Sequence, residues 1–323
     1  MPKLLEQKMP ESNATVVAVI GIGSMGRPMA ARLVNAGLRV LAYDVNAEAA
    51  ARFCKEVGGE HAANLASVGQ QADLIITMLP TSAIVSAVLF DGADNLCAGI
   101  ARRTVSGARK TPLIVDMSSG VPSQTVAIAE QLSTKGMSII DAPVSGGVKR
   151  AITGELAIMV GGEAGDIDFA DPVLRHLGKS IVRTGKLGTG QAMKSLNNMA
   201  SAAGLLIAVE ILMIGSKFGL DPAVMVDVLN VSSGKSNSSE SKLKQFVLSR
   251  SFGSGFSLDL MVKDLGIAMT VARETHTPSP LAALTGELWG AAQALLGPGQ
   301  DHTAIARFSE LLAKTTLSSG DPH

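Results

Sequence analysis

The stretch "TVVAVIGIGSMGRPMAARLVNAG" (residues 15–37) decides the fold. It opens on a β-branched apolar run, turns at Gly21, Gly23 and Gly26, and continues with helical spacing up to Gly37. A glycine triplet spaced G-x-G-x-x-G between a strand and a helix has a mechanical reading. Gly21 permits the tight turn, Gly23 lets a pyrophosphate approach the backbone, and Gly26 lets helix and strand pack closely. Ile22, Ser24 and Met25 complete the loop, and the phosphates lie against the helix N-terminus. Asp44 ends the next apolar run, "RVLAYD" (39–44), 18 residues after Gly26. Its carboxylate can accept from both ribose hydroxyls and repels a 2′-phosphate. With no arginine beside it in "YDVN" (43–46), NAD is favoured over NADP.

Outward from this stretch the pattern repeats. "DLIITML" (73–79), "PLIVDMS" (112–118), "SIIDAPV" (138–144), "LAIMVGG" (156–162) and "SIVRTG" (180–185) read as further strands. Helical spacing occupies 24–37, 46–58 and 122–136. Such alternation implies a mostly parallel sheet covered by helices. After Gly190 the strand signals stop, and 190–218, 221–230, 258–275, 279–296 and 302–315 read as helices. The expected organisation is a flexible N-terminal tail over 1–14, an α/β dinucleotide-binding domain over 15–187, an all-α domain over 188–316 for substrate and oligomerisation, and a flexible tail over 317–323. The basic segment 101–112, with Arg102, Arg103, Arg109, Lys110 and no acid, reads as a solvated surface loop.

Composition narrows the function classes. The chain has 323 residues, is 46% hydrophobic and 17% charged, and carries zero formal net charge. It offers no global basic field for nucleic acid or an anionic membrane. Cys54 and Cys97 form no CxxC, and the five histidines are scattered, so no metal site is expected and a reducing compartment fits. The first residues lack an apolar h-region. The most apolar span, 199–215, contains Glu210 and reads as a buried helix rather than a membrane crossing. A cytoplasmic protein is expected, and that helix would also suit a subunit interface.

Two constellations carry chemistry. In "GTGQAMKSLNNM" (188–199), Lys194 and Asn198 stand at i and i+4 on one helix face. A lysine there can move a hydroxyl proton if its pKa falls roughly three units below ~10.4, about 4 kcal/mol of environment, within reach of partial burial. A helix-start lysine reaching to solvent is the competing reading. In "DAPVSGG" (141–147), Ser145, Gly146 and Gly147 would offer a hydroxyl and closely spaced N–H groups to a carboxylate, unless the turn is merely glycine-rich.

Taken in order, these motifs resemble the NAD(P)-dependent β-hydroxyacid dehydrogenases, whose members include 3-hydroxyisobutyrate dehydrogenase, tartronate semialdehyde reductase and L-threonate dehydrogenase, with 6-phosphogluconate dehydrogenase as a larger relative. The resemblance covers about 15–315. It implies a Rossmann-type α/β domain, a long joining helix and an all-α domain, assembled into a homodimer or homotetramer. It also implies hydride transfer between NAD and the hydroxyl-bearing carbon of a short-chain 3-hydroxy acid, with Lys194 as general acid/base and Asn198 positioning substrate. "IITMLPTS" (75–82) would put Leu79 and Pro80 along the cofactor cleft, and "VDMSSG" (115–120) would put Ser119 near the nicotinamide carboxamide. "DAPVSGG" would bind the substrate carboxylate through Ser145, Gly146 and Gly147. "LMVKDLGIA" (260–268) would bring Lys263 to substrate and cofactor and Asp264 to cofactor, although either could be a surface charge.

The sequence also departs from the family. "SGGVKRA" places Arg150 where the family commonly has glycine, which resembles the threonate-type branch and suggests contact with a polyhydroxylated or second anionic part of the substrate; a solvent-facing arginine is the alternative. Gly120 replaces a usual isoleucine and is expected to loosen packing there. The serine-rich "SSGKSNSSE" (232–240) reads as a loop, or as a polar wall for hydroxylated substrates. Two rivals are an imine reductase, whose relatives typically replace the catalytic lysine, and a non-catalytic NAD-binding scaffold, which a broken Lys/Asn pair would have favoured.

Overall fold

A computed structural model describes residues 15–104 and 109–317. The chain divides into two compact units, Met1–Gln191 and Ala192–His323. The first is built on nine strands: β1 (Val16–Ile20), β2 (Arg39–Tyr43), β3 (Glu60–His61), β4 (Leu74–Thr77), β5 (Leu113–Asp116), β6 (Ser138–Asp141), β7 (Val144–Ser145), β8 (Leu156–Gly161) and β9 (Gly178–Gly185). Around them lie α1 (Gly26–Asn35), α2 (Ala47–Val57), α3 (Leu65–Gln71), α4 (Ser82–Phe90), α5 (Leu96–Ile100), α6 (Pro122–Ser133), α7 (Gly147–Thr153) and α8 (Ala164–Leu174).

The sheet runs β3-β2-β1-β4-β5-β6-β8-β7, with β9 on β8. Strands β1 to β6 pair in parallel, and the order reverses between β1 and β4. Its central strands read as unbroken apolar runs because both faces are covered. Val17 and Val19 enter one core with Leu74, Ile76 and Val115, while Ala18 and Ile20 enter the other with Ile75 and Ile114. The expected strand 138–144 is two strands. Pro143 has no N–H to continue the ladder, so the chain bends, and β7 pairs antiparallel with β8.

The basic segment is not a plain solvated loop. Arg103 forms a buried ion pair with Asp73 (2.5 Å) and donates to the carbonyl of Ala72, and Asp73 in turn accepts from the Val16 N–H (2.9 Å) at the head of β1. Arg109 pairs with Asp166 at 2.7 Å and lies over the Phe169 ring. Residues 105–108 lie outside the described ones.

The helices of the second unit are the remainder of α9 (Thr189–Phe218), which begins in the first unit, then α10 (Pro222–Val231), α11 (Asn237–Ser241), a π-helical segment Leu243–Leu248, α12 (Leu258–Glu274), α13 (Pro280–Leu296) and α14 (Ile305–Ala313). Leu205, Val209, Leu212, Leu265 and Trp289 lie in their common core. By length and composition α9 could cross a membrane, but half of its most apolar window is buried within the fold. The serine-rich segment is structured: Ser236 and Ser239 form a capping box that starts α11. The expected tails 1–14 and 318–323 lie outside the described residues. Leu317 is no part of a flexible tail; it is fully buried, and its N–H donates to Glu310 (2.8 Å).

At the head of α9 sits Asp141. Its two carboxylate oxygens accept from the N–H groups of Gly188 and Gln191, both at 2.7 Å, and two orphan donors of the first turn are thereby satisfied. Burial pushes its pKa from the usual 3.8 up to about 6, against the pull of those N–H donors. Because the folded chain holds this proton where the unfolded chain has lost it, the group's contribution to stability declines as pH rises from about 4 to about 6, by on the order of 3 kcal/mol in all. Asp141→Asn should flatten that part of the pH–stability curve, read as urea midpoints between pH 4 and 7. An unchanged slope would show that Asp141 ionises freely in the fold.

Candidate active site

In the first unit, the residues expected to hold a dinucleotide gather at the carboxyl ends of β1, β2, β4 and β5, beside the point where strand order reverses. Open α/β sheets bind ligands there. Gly21 has φ +96°, and a Cβ on it would fall 2.4 Å from the Met78 carbonyl oxygen. A Cβ on Gly26 would overlap Gly21 itself, whereas one on Gly23 would meet nothing within 4 Å. The turn is therefore closed on its protein side and open at Gly23. No side chain caps α1, and its first turn carries no acid, which leaves its N-terminus suited to phosphate. Asp44 accepts from the N–H groups of Ile22 (2.7 Å) and Asn46 (2.9 Å). A carboxylate has about four acceptor positions, so it can still take ribose hydroxyls. These residues fit a dinucleotide.

Leu79, with a methyl group 3.2 Å from the Cβ position of Gly21, donates its N–H to Ser118 Oγ at 2.9 Å, and Pro80 follows it into exposure. Ser119 follows β5, half-buried. Gly120 is not loosely packed. A Cβ there would fall 2.5 Å from Ser82 Oγ, which already accepts from the Val121 N–H (2.9 Å). A side chain at this position would require the Ser82 hydroxyl to move.

Gln191 had no assigned role in the sequence, yet it ties this region together. Its amide oxygen accepts from the Gly120 N–H, and its amide nitrogen donates to the Ser118 carbonyl, both at 2.8 Å. Asp116 underlies the same network, accepting from Thr77 Oγ1 at 2.8 Å. Gln191 was visible within the motif that contains Lys194, but nothing local marked its partners some 70 residues away.

Ser145 ends β7, and Gly146 (φ +132°) and Gly147 (φ +66°) lead into α7. Both glycines hold backbone that side-chain-bearing residues rarely adopt. The Arg150 stem curls back over the turn: a Cβ on Gly146 would lie 2.6 Å from Arg150 Cδ. Arg150 is thus exposed but lies on the candidate carboxylate turn rather than away from it.

In the second unit, Lys194 is only 8% exposed, so the solvent-reaching reading fails. Burial drives its pKa down, the nearby Asp264 carboxylate pulls it up, and Lys263 pushes it down again. Asp264 is no surface charge. It is 2% exposed, accepts from the Asn198 amide nitrogen (2.6 Å) and lies 3.6 Å from the Lys263 ammonium. Asn198 is thereby fixed in orientation, with its amide oxygen accepting from Asn197 (3.3 Å). Among the described residues no cluster of three metal-ligating side chains occurs.

Comparison with known proteins gives the same architecture. Residues 16–185 match the NAD binding domain of 6-phosphogluconate dehydrogenase, and residues 188–309 match the NAD-binding domain of NADP-dependent 3-hydroxyisobutyrate dehydrogenase. The chain is 34% identical to 2-(hydroxymethyl)glutarate dehydrogenase of Eubacterium barkeri, over 94% of this chain and 98% of that one. It is 35% identical to 3-sulfolactaldehyde reductase of Escherichia coli K12, over 90% and 94%. The solved structure of Mycobacterium tuberculosis 3-hydroxyisobutyrate dehydrogenase with L-serine superposes with a TM-score of 0.79 at 30% identity, covering 91% of this chain and 99% of that one. With both units matched and a third of positions identical across nearly the whole length, the chain belongs to the β-hydroxyacid dehydrogenase family, enzymes that exchange hydride between a nicotinamide cofactor and a hydroxy acid.

Proposed function

We propose that the chain is an NAD-dependent dehydrogenase of a short-chain 3-hydroxy acid in which Lys194 is the general acid/base. The observation that carries this reading is a buried lysine, its pKa lowered by desolvation, beside an asparagine locked by a buried aspartate. A bound nicotinamide supplies or accepts the hydride. Lys194 takes the hydroxyl proton in oxidation and returns it in reduction, Asn198 orients the hydroxyl, and the turn Ser145-Gly146-Gly147 holds the carboxylate. Such proton transfer contributes about 10²–10⁴ in rate, so Lys194→Ala should lower kcat by that order while dinucleotide binding, followed by fluorescence titration, persists. In the wild type, kcat/KM for oxidation should fall as pH drops through the lysine pKa, with a limb below the ordinary range near ~10.4. Turnover by Lys194→Ala within a few-fold of wild type would overturn the assignment.

NAD rather than NADP is the cofactor, on the strength of Asp44. A carboxylate bound to the loop N–H of Ile22 and set at the end of β2 accepts ribose hydroxyls and repels a 2′-phosphate. Hydrogen bonds to a charged group contribute about 1.5–3 kcal/mol. Asp44→Ala should therefore raise the KM for NAD roughly tenfold or more and narrow the NAD/NADP preference in kcat/KM. An unchanged ratio would remove Asp44 from cofactor choice.

The substrate is a short 3-hydroxy acid, in line with relatives named for 2-(hydroxymethyl)glutarate and 3-sulfolactaldehyde. Arg150, lying over Gly146, supports the variant reading of a polyhydroxylated or doubly anionic acid. The protein works in the cytoplasm, without nucleic acid or membrane, as a homodimer or homotetramer. Support for assembly comes from α9 and α10, where Ile207 and Ile214 are 55% and 68% exposed and Val224 and Val228 are 56% and 55% exposed. Apolar surface of this extent is costly to leave in water. Ile214→Glu should lower the mass found by light scattering after size exclusion; a wild-type monomer would contradict the assembly.

A further inference from the structure

The loop that follows β5 is gripped through its backbone by side chains from elsewhere in the first unit. The Ser118 carbonyl accepts from the Gln191 amide nitrogen, and the Gly120 N–H donates to the amide oxygen, both at 2.8 Å. The Val121 N–H donates to Ser82 Oγ at 2.9 Å. Ser118 Oγ accepts from the Leu79 N–H at 2.9 Å, which joins the loop after β4 to the loop after β5.

Both gripping side chains are themselves fixed. Gln191 is 1% exposed, and its own N–H is held by Asp141 at 2.7 Å. Asp116 Oδ2 lies 3.4 Å from the Gln191 amide nitrogen. A carbonyl and a carboxylate can only accept, so the amide is satisfied in one orientation and not in the flipped one. Ser82 is buried, and the residue facing it is a glycine. A Cβ on Gly120 would fall 2.5 Å from Ser82 Oγ, with the next atoms, both of Gln191, at 3.5 and 3.7 Å. The missing side chain at 120 makes room for the hydroxyl that holds 121.

The place of this loop in the sheet says what it braces. The order runs β2-β1-β4-β5, with Asp44 following β2 and the glycine turn following β1. With one ribose at Asp44 and the pyrophosphate at the turn, the other half of a dinucleotide extends the opposite way, across β4 to β5. Two strand spacings separate β5 from β1, roughly 10 Å, a distance one nucleoside spans. Burying two polar side chains costs rotamer freedom and hydration, which a plain surface turn does not require.

We propose that Gln191 and Ser82 are positioning residues for the nicotinamide half of the cofactor. They act through the backbone of 118–121, which they fix as a rigid wall for that half, and they do nothing for the adenylate half. The inference rests on the cofactor reading above and is independent of Lys194.

The test separates the two halves. The full chain is titrated calorimetrically with NADH and with ADP-ribose, which lacks the nicotinamide. The emission of bound NADH is recorded as well, because the reduced ring fluoresces more strongly when it is held rigidly. NADPH and 2′-phospho-ADP-ribose are run alongside. Gln191→Met and Ser82→Ala should each raise the Kd for NADH about fivefold to tenfold, the scale of one or two lost hydrogen bonds, and leave that for ADP-ribose within about twofold of wild type. Bound emission should dim toward that of free NADH. Gly120→Ala should reproduce the defect by displacing the Ser82 hydroxyl, yet add nothing in a Ser82→Ala background, where that clash is gone. Should Gln191→Met fail to fold, the Ser82 and Gly120 variants carry the test. NADH and ADP-ribose affinities that fall together, or that both stay unchanged, overturn the proposal; so does a Gly120→Ala effect undiminished by Ser82→Ala. A wild type that binds only the phosphorylated pair overturns NAD as the cofactor, and the same variants then judge the proposal on that pair. A wild type that binds neither pair overturns the dinucleotide reading and the proposal with it.

Discussion

The carboxylate of Asp141 is the contact on which the rest of the arrangement hangs. It ends β6, which pairs in parallel with β5, and both of its oxygens are spent on the first turn of α9. A helix start buried without acceptors would leave N–H groups unsatisfied at about 1–3 kcal/mol each. Here β6 of the same unit supplies the acceptor. Gln191, one of the two residues so held, reaches back to Ser118 and Gly120 beyond β5. Lys194 follows three residues later on the same helix.

The electrostatics of Lys194 depend on a second carboxylate with a different task. Asp264 lies in the middle of α12 and is spent on Asn198 and Lys263. A buried lysine with no carboxylate near it would lose its proton too readily to return one, and a lysine tightly paired with a carboxylate would never give it up. Asp264 attracts Lys194 through space while its hydrogen bonds go elsewhere, and Lys263 offsets part of that attraction. Burial remains the larger influence, so the lysine pKa is driven down while Asp264 opposes the shift and Lys263 adds to it. Asn198 gains from the same contact, because a carboxylate accepts only from the amide nitrogen and so fixes which way the amide faces.

How much of this was legible in the sequence follows from the range of the interactions. Strands β1, β4 and β5 announce themselves because a strand buried on both faces must be apolar throughout, and the glycine turn because close approach admits no other residue. The Lys194–Asn198 spacing is likewise local. What escaped depends on partners distant in the chain. Arg103 reads as one more solvated charge until Asp73, 30 residues earlier, is brought beneath it. Gly120 reads as a loosening until Ser82 takes the space. Ser236 and Ser239 did carry a local signal, the spacing of a capping box, masked by a serine-rich composition that resembles a loop. Pro143 likewise marked the bend between β6 and β7.

Helix α9 shows why a helix that buries polar side chains resists reading by periodicity. One stripe runs Lys194, Asn198, Ser201, Leu205, Ala208, Leu212, alternating steps of four and three. Such a stripe keeps one face against its neighbours along the whole length. Its second half is core, with Leu205 and Leu212 fully buried, but its first half is polar. Lys194 and Asn198 are buried for the same geometric reason as the leucines: they occupy the face that packs inward. On the opposite side Leu196, Ile207 and Ile214 are exposed, so apolar residues stand where polar ones are expected. Both inversions lower the amphipathic signal of the helix without weakening the helix itself. A sequence that breaks its own local rule on both faces of one element is carrying requirements other than its own stability. In α9 one of those breaks sets a titratable amine where water is scarce, and burial there lowers its pKa.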